Sequence, residues 1–84
     1  MYIAECADGT LYTGYTVDIA EREKAHNSGS GAKYTRSRRP VRITHFEEFA
    51  SKSDALRREI EIKRLRRAAK LRLISAGSAG AAHP

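Results

Sequence analysis

Residues 2–6, YIAEC, and 10–16, TLYTGYT, alternate between apolar and polar positions, the period of two half-buried β-strands, and Asp8-Gly9 between them marks a hairpin. The loop length decides which residues face each other. A two-residue loop, Asp8-Gly9, pairs Ala7 with Thr10 and sets Tyr2 and Tyr12 on opposite faces. A three-residue loop, Ala7-Asp8-Gly9, with a left-handed Gly9 in a G1 bulge, pairs Cys6 with Thr10, Ala4 with Tyr12 and Tyr2 with Gly14. Both phenols then share a face, and Gly14 leaves room beside the Tyr2 ring.

Asp18 with Glu21 forms a capping box, so a helix should run from Ile19 to about Ser28, where Gly29 stops it. Arg22 and His26, four residues apart, lie on one face of that helix. The stretch NSGSGAKYTRSRRP reads as an ordered loop with one turn of helix near Ala32–Thr35. After Pro40, VRITHFEEF sets Val41, Ile43 and His45 against Arg42, Thr44 and Phe46, a third strand.

Ser51 or Ser53 caps a further helix from about Asp54 through Arg66, with Ala55, Leu56, Ile60, Ile62 and Leu65 as its apolar stripe. Glu59 falls inside that stripe, with Lys63 next along the same face, and a carboxylate there is expensive to bury without a partner. The helix continues or kinks before Ala68–Ile74, and SAGSAGAAHP has the composition of a frayed tail. The pattern predicts one α/β domain over residues 1–75, a three-stranded antiparallel sheet flanked by helices in the order β-β-α-β-α-α, and a flexible tail over 76–84.

A chain of 84 residues builds only a thin core. The absence of a leader pattern or of an apolar run near the roughly 20 residues of a bilayer span predicts a cytoplasmic protein with no membrane partner. A single cysteine, Cys6, excludes an internal disulfide and a cysteine-rich zinc site, and reads as core filler. Oligomeric state is not legible in the pattern.

Charge changes the picture more. The formal net charge is +6, which favours a polyanionic partner such as nucleic acid. Lys33, Arg36, Arg38, Arg39 and Arg42 follow one another with no acid among them, so nothing nearby in the sequence neutralises that stretch. Arg57 to Arg72 adds eight basic residues against two acids. Lys33, Arg36, Arg38, Arg39 and Lys63 are the candidate nucleic-acid contacts.

The sketch collects Tyr2, Tyr12, Arg22, His26 and Glu59 on one side of the sheet, and these are the parts of a metal-assisted phosphodiester cleavage site. A carboxylate can hold a divalent ion against a phosphate, an arginine can neutralise transition-state charge, and a tyrosine or histidine can take a proton from the attacking water. Each residue also has an ordinary explanation. Tyr12 can be core, Arg22 a surface charge, His26 a solvated polar residue, and Glu59 the partner of Lys63.

Tyr2-Ile3 followed by Tyr12-Thr13-Gly14, and Arg22 ten residues after the second tyrosine, resemble the GIY-YIG nuclease signature. HNSGSGAKYTRSRRPV and ALRREIEIKRL are similar to the small stand-alone bacterial members of the YhbQ type, and the likeness runs from Tyr2 to Ile74. The resemblance implies that Tyr2 stands in the first motif and Tyr12 in the second, with Tyr12 activating water. It implies Arg22 as the transition-state arginine, His26 as an auxiliary proton-transfer or phosphate-contact group, and Glu59 as the ligand of a single Mg2+ or Mn2+ ion. It further implies DNA cleavage of low sequence specificity, on branched or damaged substrates, in repair or recombination. The sequence departs from the signature in two places: Met1-Tyr2 lacks the glycine and isoleucine of the first motif, which shortens the first strand, and the second motif reads Tyr-Thr-Gly. A catalytically silent nucleic-acid-binding module on the same fold is the competing reading.

Overall fold

A computed structural model describes residues 1–76. The elements are β1 (Tyr2–Glu5), β2 (Leu11–Gly14), α1 (Ile19–Ser28), α2 (Lys33–Arg36), β3 (Arg42–Phe46), α3 (Lys52–Lys63) and α4 (Arg67–Ala76). The three strands form the expected antiparallel sheet, with the spatial order β2-β1-β3, and α2 is the helical turn foreseen inside the glycine-rich loop.

The hairpin takes the three-residue form. Cys6 N–H donates to the Thr10 carbonyl at 2.9 Å, Gly9 N–H donates to the Cys6 carbonyl at 2.9 Å, and Gly9 has a φ of +84°. The Asp8 carboxylate tightens the turn by accepting from the Thr10 amide at 3.1 Å and its hydroxyl at 2.6 Å. Tyr2 therefore opposes Gly14, and Ala4 opposes Tyr12.

Against β3 the register slips between Ile3 and Ala4: Ile3 faces His45, whereas Ala4 faces Ile43. Thr44 is thus an extra residue, a bulge that reverses the alternation beyond it. The expected grouping of Val41, Ile43 and His45 fails for this reason. Val41, Ile43 and Phe46 all pack in the cluster of Tyr2, Ala4 and Cys6, while His45 pairs with Ile3 of the other cluster. That second cluster joins Met1, Ile3 and Ile62 to Leu11, Leu73 and Ile74, so the two sets of β1 side chains anchor one small core on each face of the sheet.

α1 has the predicted bounds, with the Asp18 carboxylate accepting from the Glu21 amide at 3.0 Å and Gly29 closing the helix at a φ of +90°. α3 starts at its Ser51 cap and ends three residues earlier than expected, because the chain tightens at Arg64 and Leu65 before α4 begins. The Arg67 guanidinium then ties the start of α4 to the Gly9 carbonyl at 2.6 Å. The expected stripe of α3 is also narrower: Ala55 and Ile62 are buried, but Leu56, Ile60 and Leu65 remain 38%, 52% and 37% exposed. A sheet of three strands offers the helix one line of contact, and only Ala55, Glu59 and Ile62 lie along it. Among the described residues no helix is long and apolar enough to cross a membrane. Apart from Ala76, which ends α4, the expected tail lies outside the described residues.

Candidate active site

The hairpin register places the Tyr2 and Tyr12 rings on one face with centroids 6.3 Å apart. His26, in the last turn of α1, joins them: its ring centroid lies 5.8 Å from that of Tyr2 and 5.5 Å from that of Tyr12, both edge-on. The Tyr2 hydroxyl is 2.8 Å from His26 Nε2. Tyr2 is 1% exposed despite its place at the start of the first strand.

Two glycines make this packing possible. A Cβ on Gly14 would sit 2.7 Å from the Tyr2 hydroxyl oxygen and 3.1 Å from the Tyr12 ring, and a Cβ on Gly31 would collide with the His26 ring and lie 2.8 Å from its Cα. Both positions require glycine because the rings already fill the space.

His26 is fully enclosed, and both ring nitrogens are engaged, Nε2 with Tyr2 and Nδ1 with Thr35 Oγ1 at 2.7 Å. His26 is therefore not a solvated residue, and its contact toward the tyrosine pair is the one with Tyr2. Burial, reinforced by the nearby Arg22 charge, lowers its pKa and favours the neutral ring. Burial, with Tyr12 next, raises the Tyr2 pKa well above the ordinary phenol value against an opposing pull from Arg22, so the phenol keeps its proton.

Arg22 stands one turn before His26 on α1, close enough to act electrostatically on both Tyr2 and His26. Its half-buried guanidinium has no carboxylate or hydrogen-bond partner among the described residues, which leaves the charge available to an anion. The Tyr12 hydroxyl is similarly without a hydrogen-bond partner among the described residues, while its ring stacks on Tyr34 with centroids 5.9 Å apart. Arg38 lies 4.0 Å over the Tyr34 ring and pairs with Asp8 of the hairpin turn at 3.1 Å. Tyr12 is thus held by the loop on one side and by the strand pairing on the other.

Glu59 is the exception to direct convergence. It lies in the buried line of α3, influences Tyr2 electrostatically, and is 14% exposed, but its carboxylate is paired with Lys63 at 2.8 Å. Among the described residues no group of three His, Cys, Asp or Glu side chains could cage a metal ion. A single carboxylate suits a hard divalent ion whose other ligands are water and substrate phosphate, and it suits no ion that needs a complete protein cage.

The basic residues divide into two groups. No neighbour in the sequence offsets Arg38, but Asp8 pairs with it across the fold at 3.1 Å, and Arg39 braces the loop through the Arg36 and Asn27 carbonyls at 2.9 and 3.3 Å. Lys33 and Arg36 are exposed on α2, and their side chains have no partner among the described residues. Lys63 is half exposed and holds Glu59.

Sequence reasoning missed Tyr34, Thr35, Gly31 and Asn27. Asn27 substitutes for a strand partner at Val41, donating to its carbonyl at 2.8 Å and accepting from its amide at 2.6 Å. The available signal was the pair Tyr34-Thr35 following a glycine-serine run.

Comparison with known proteins places the sequence and the fold. Residues 1–72 match the GIY-YIG catalytic domain. A UPF0213 protein of Halobacterium salinarum is 59% identical over 70 residues, spanning 83% of this chain and 91% of the relative. A UPF0213 protein of Staphylococcus saprophyticus is 56% identical over 77 residues, spanning 92% of this chain and 94% of the relative. The solution NMR structure of a UPF0213 protein from Bacillus halodurans, 50% identical, superposes with a TM-score of 0.53 over 89% of this chain and 80% of that one.

Proposed function

Since the chain belongs to the GIY-YIG domain family, whose catalytic domain implies nuclease activity on nucleic acid, we propose that it is a divalent-metal-dependent endonuclease that cuts DNA with low sequence specificity. Branched or damaged duplexes, as arise in repair and recombination, are the substrates this reading favours. The observation that supports it most is the unpartnered Arg22 guanidinium beside the packed Tyr2, Tyr12 and His26 rings.

In this reading Arg22 takes a non-bridging phosphate oxygen and offsets the charge that grows as the attacking oxygen bonds to phosphorus. Tyr12, with its hydroxyl free among the described residues, orients the attacking water, and takes its proton once its own hydroxyl proton has passed to solvent. Tyr2 and His26 hold Tyr12 in place and carry no charge in the resting site. Glu59 would hold the Mg2+ or Mn2+ ion, which when bound supplies Lewis-acid stabilisation to the phosphate and the leaving oxygen. Lys63, half exposed on a flexible stem, can leave the carboxylate for a phosphate.

The Glu59–Lys63 pair favours the second reading, a silent binding module whose carboxylate serves only as the partner of Lys63. Labelled linear and branched duplexes incubated with magnesium, and in parallel with a chelator, separate the two. The nuclease yields magnesium-dependent products; binding without products in any metal supports the silent module.

Recognition rests on backbone charge. Neutralising Lys33 and Arg36, which brace nothing among the described residues, should weaken DNA binding equally across sequences. The salt slope should fall by about 0.9 for each duplex phosphate that the protein no longer neutralises, with turnover at saturating DNA nearly unchanged. An unaltered slope in a binding titration would leave α2 a solvated surface. Arg38 and Arg39 are poorer probes because both hold the loop together.

A further inference from the structure

We infer that Thr35 is a positioning residue that holds His26 in its Nδ1–H tautomer, making Tyr2 a hydrogen-bond donor to His26 and leaving only lone pairs of the phenol oxygen toward the site. Thr35 is completely buried, and its Oγ1 meets two groups: His26 Nδ1 at 2.7 Å and the Ala32 carbonyl at 3.0 Å. A carbonyl can only accept, so the single hydroxyl proton goes to Ala32 and Oγ1 accepts from Nδ1–H. The neutral ring then carries no proton on Nε2, and the Tyr2 hydroxyl, 2.8 Å away, donates to it. The Ala32 amide also points at Nδ1 but at 3.5 Å, the long limit of a hydrogen bond, and is weaker than the 2.7 Å contact with Thr35 that sets the proton.

The reverse assignment fails on the same count. If Thr35 donated to Nδ1, Nε2–H would donate to the Tyr2 oxygen, and the buried Tyr2 proton would have no acceptor among the described residues. The first arrangement satisfies the Tyr2, His26 and Thr35 groups with one set of protons and gives up only the long Ala32 amide contact. It is also consistent with the lowered His26 pKa, which keeps the ring neutral with one nitrogen bare.

The consequence for chemistry rests on the nuclease reading. Tyr2 Oη can accept a proton only as its own passes to Nε2, and the imidazolium so formed has both N–H groups already matched, to Tyr2 Oη and to Thr35 Oγ1. The pair can therefore lodge one proton without rearrangement. With the other tautomer Nε2 is already protonated and that route is closed.

Long-range 1H–15N spectra of the full-length protein labelled at histidine, taken where His26 is neutral, read the tautomer without reference to activity. The expected wild-type pattern is a protonated Nδ1 and a bare Nε2. Thr35→Val should shift His26 toward the Nε2–H form and slow magnesium-dependent cleavage at least about tenfold, the direction known for a triad histidine held in the wrong tautomer. Thr35→Ser should restore both. A wild-type spectrum with protonated Nε2, or a valine variant that retains the Nδ1–H form, would overturn the assignment whatever the cleavage rate. A tautomer that switches with no change in cleavage would overturn the role in the reaction. Wild-type protein with the expected tautomer but no nuclease activity upholds the assignment and removes the nuclease reading instead. If the valine variant does not fold, the wild-type and serine spectra still decide the matter.

Discussion

Arg22→Gln is expected to lower single-turnover cleavage by about a hundredfold or more while the protein stays folded. The kinetic loss follows from removing a fixed positive charge from the place where phosphate charge grows, and losses of one such stabiliser run to about 10²–10³ in rate. The intact fold follows from the structure, because Arg22 has no carboxylate or hydrogen-bond partner among the described residues to leave orphaned, and such substitutions shift stability by about 0.5 kcal/mol or less. Arg22→Lys should recover only part of the rate, since an ammonium keeps the charge but loses the two-pronged contact with phosphate. The variant also carries a titration signature. Arg22 helps hold the His26 pKa down, so in Arg22→Gln that pKa should move back up, a change NMR titration reads directly. A folded Arg22→Gln protein that cuts within about threefold of wild type would remove Arg22 from the chemistry.

What could be read in advance was local. Asp18, Glu21 and Gly29 set the bounds of α1 because capping is decided within a few residues, and Gly9 in a three-residue loop set the hairpin register that puts Tyr2 and Tyr12 together. What was missed depends on residues far apart in the chain. The bulge at Thr44 exists only in the pairing of β3 with β1, so alternation along β3 alone placed His45 on the wrong face. The Asp8–Arg38 pair joins residues thirty apart, and no local charge count could find it. Thr35 reads as an ordinary loop residue until α2 folds back over α1 and brings its hydroxyl to the His26 ring. The exposed Leu56 and Ile60 show the limit of periodicity: a helical stripe predicts which residues could be buried, and the width of the partner sheet decides which are.

Glu59→Gln is the substitution expected to separate binding from cleavage most sharply. Glutamine keeps the length of the side chain and one oxygen acceptor for Lys63, so the structural loss is that of one partly exposed ion pair, about 0–1 kcal/mol, to be checked by thermal melting. What it removes is the negative charge that attracts a divalent oxygen-seeking ion. Cleavage in magnesium should therefore fall at least about a hundredfold. DNA affinity should hold or rise, because a carboxylate that repels phosphate has gone. If Glu59 serves only as the partner of Lys63, cleavage stays near the wild-type rate, and that result in a folded variant would take Glu59 out of the site. Lys63→Met approaches the same question from the other side. In the resting protein the ammonium holds the carboxylate at 2.8 Å and so competes with any cation for it. Without that competitor, half-maximal cleavage should need less magnesium, even if removing the ammonium from a phosphate weakens DNA binding. An unchanged or higher magnesium requirement in Lys63→Met would mean that the carboxylate which Lys63 occupies is not where the ion binds.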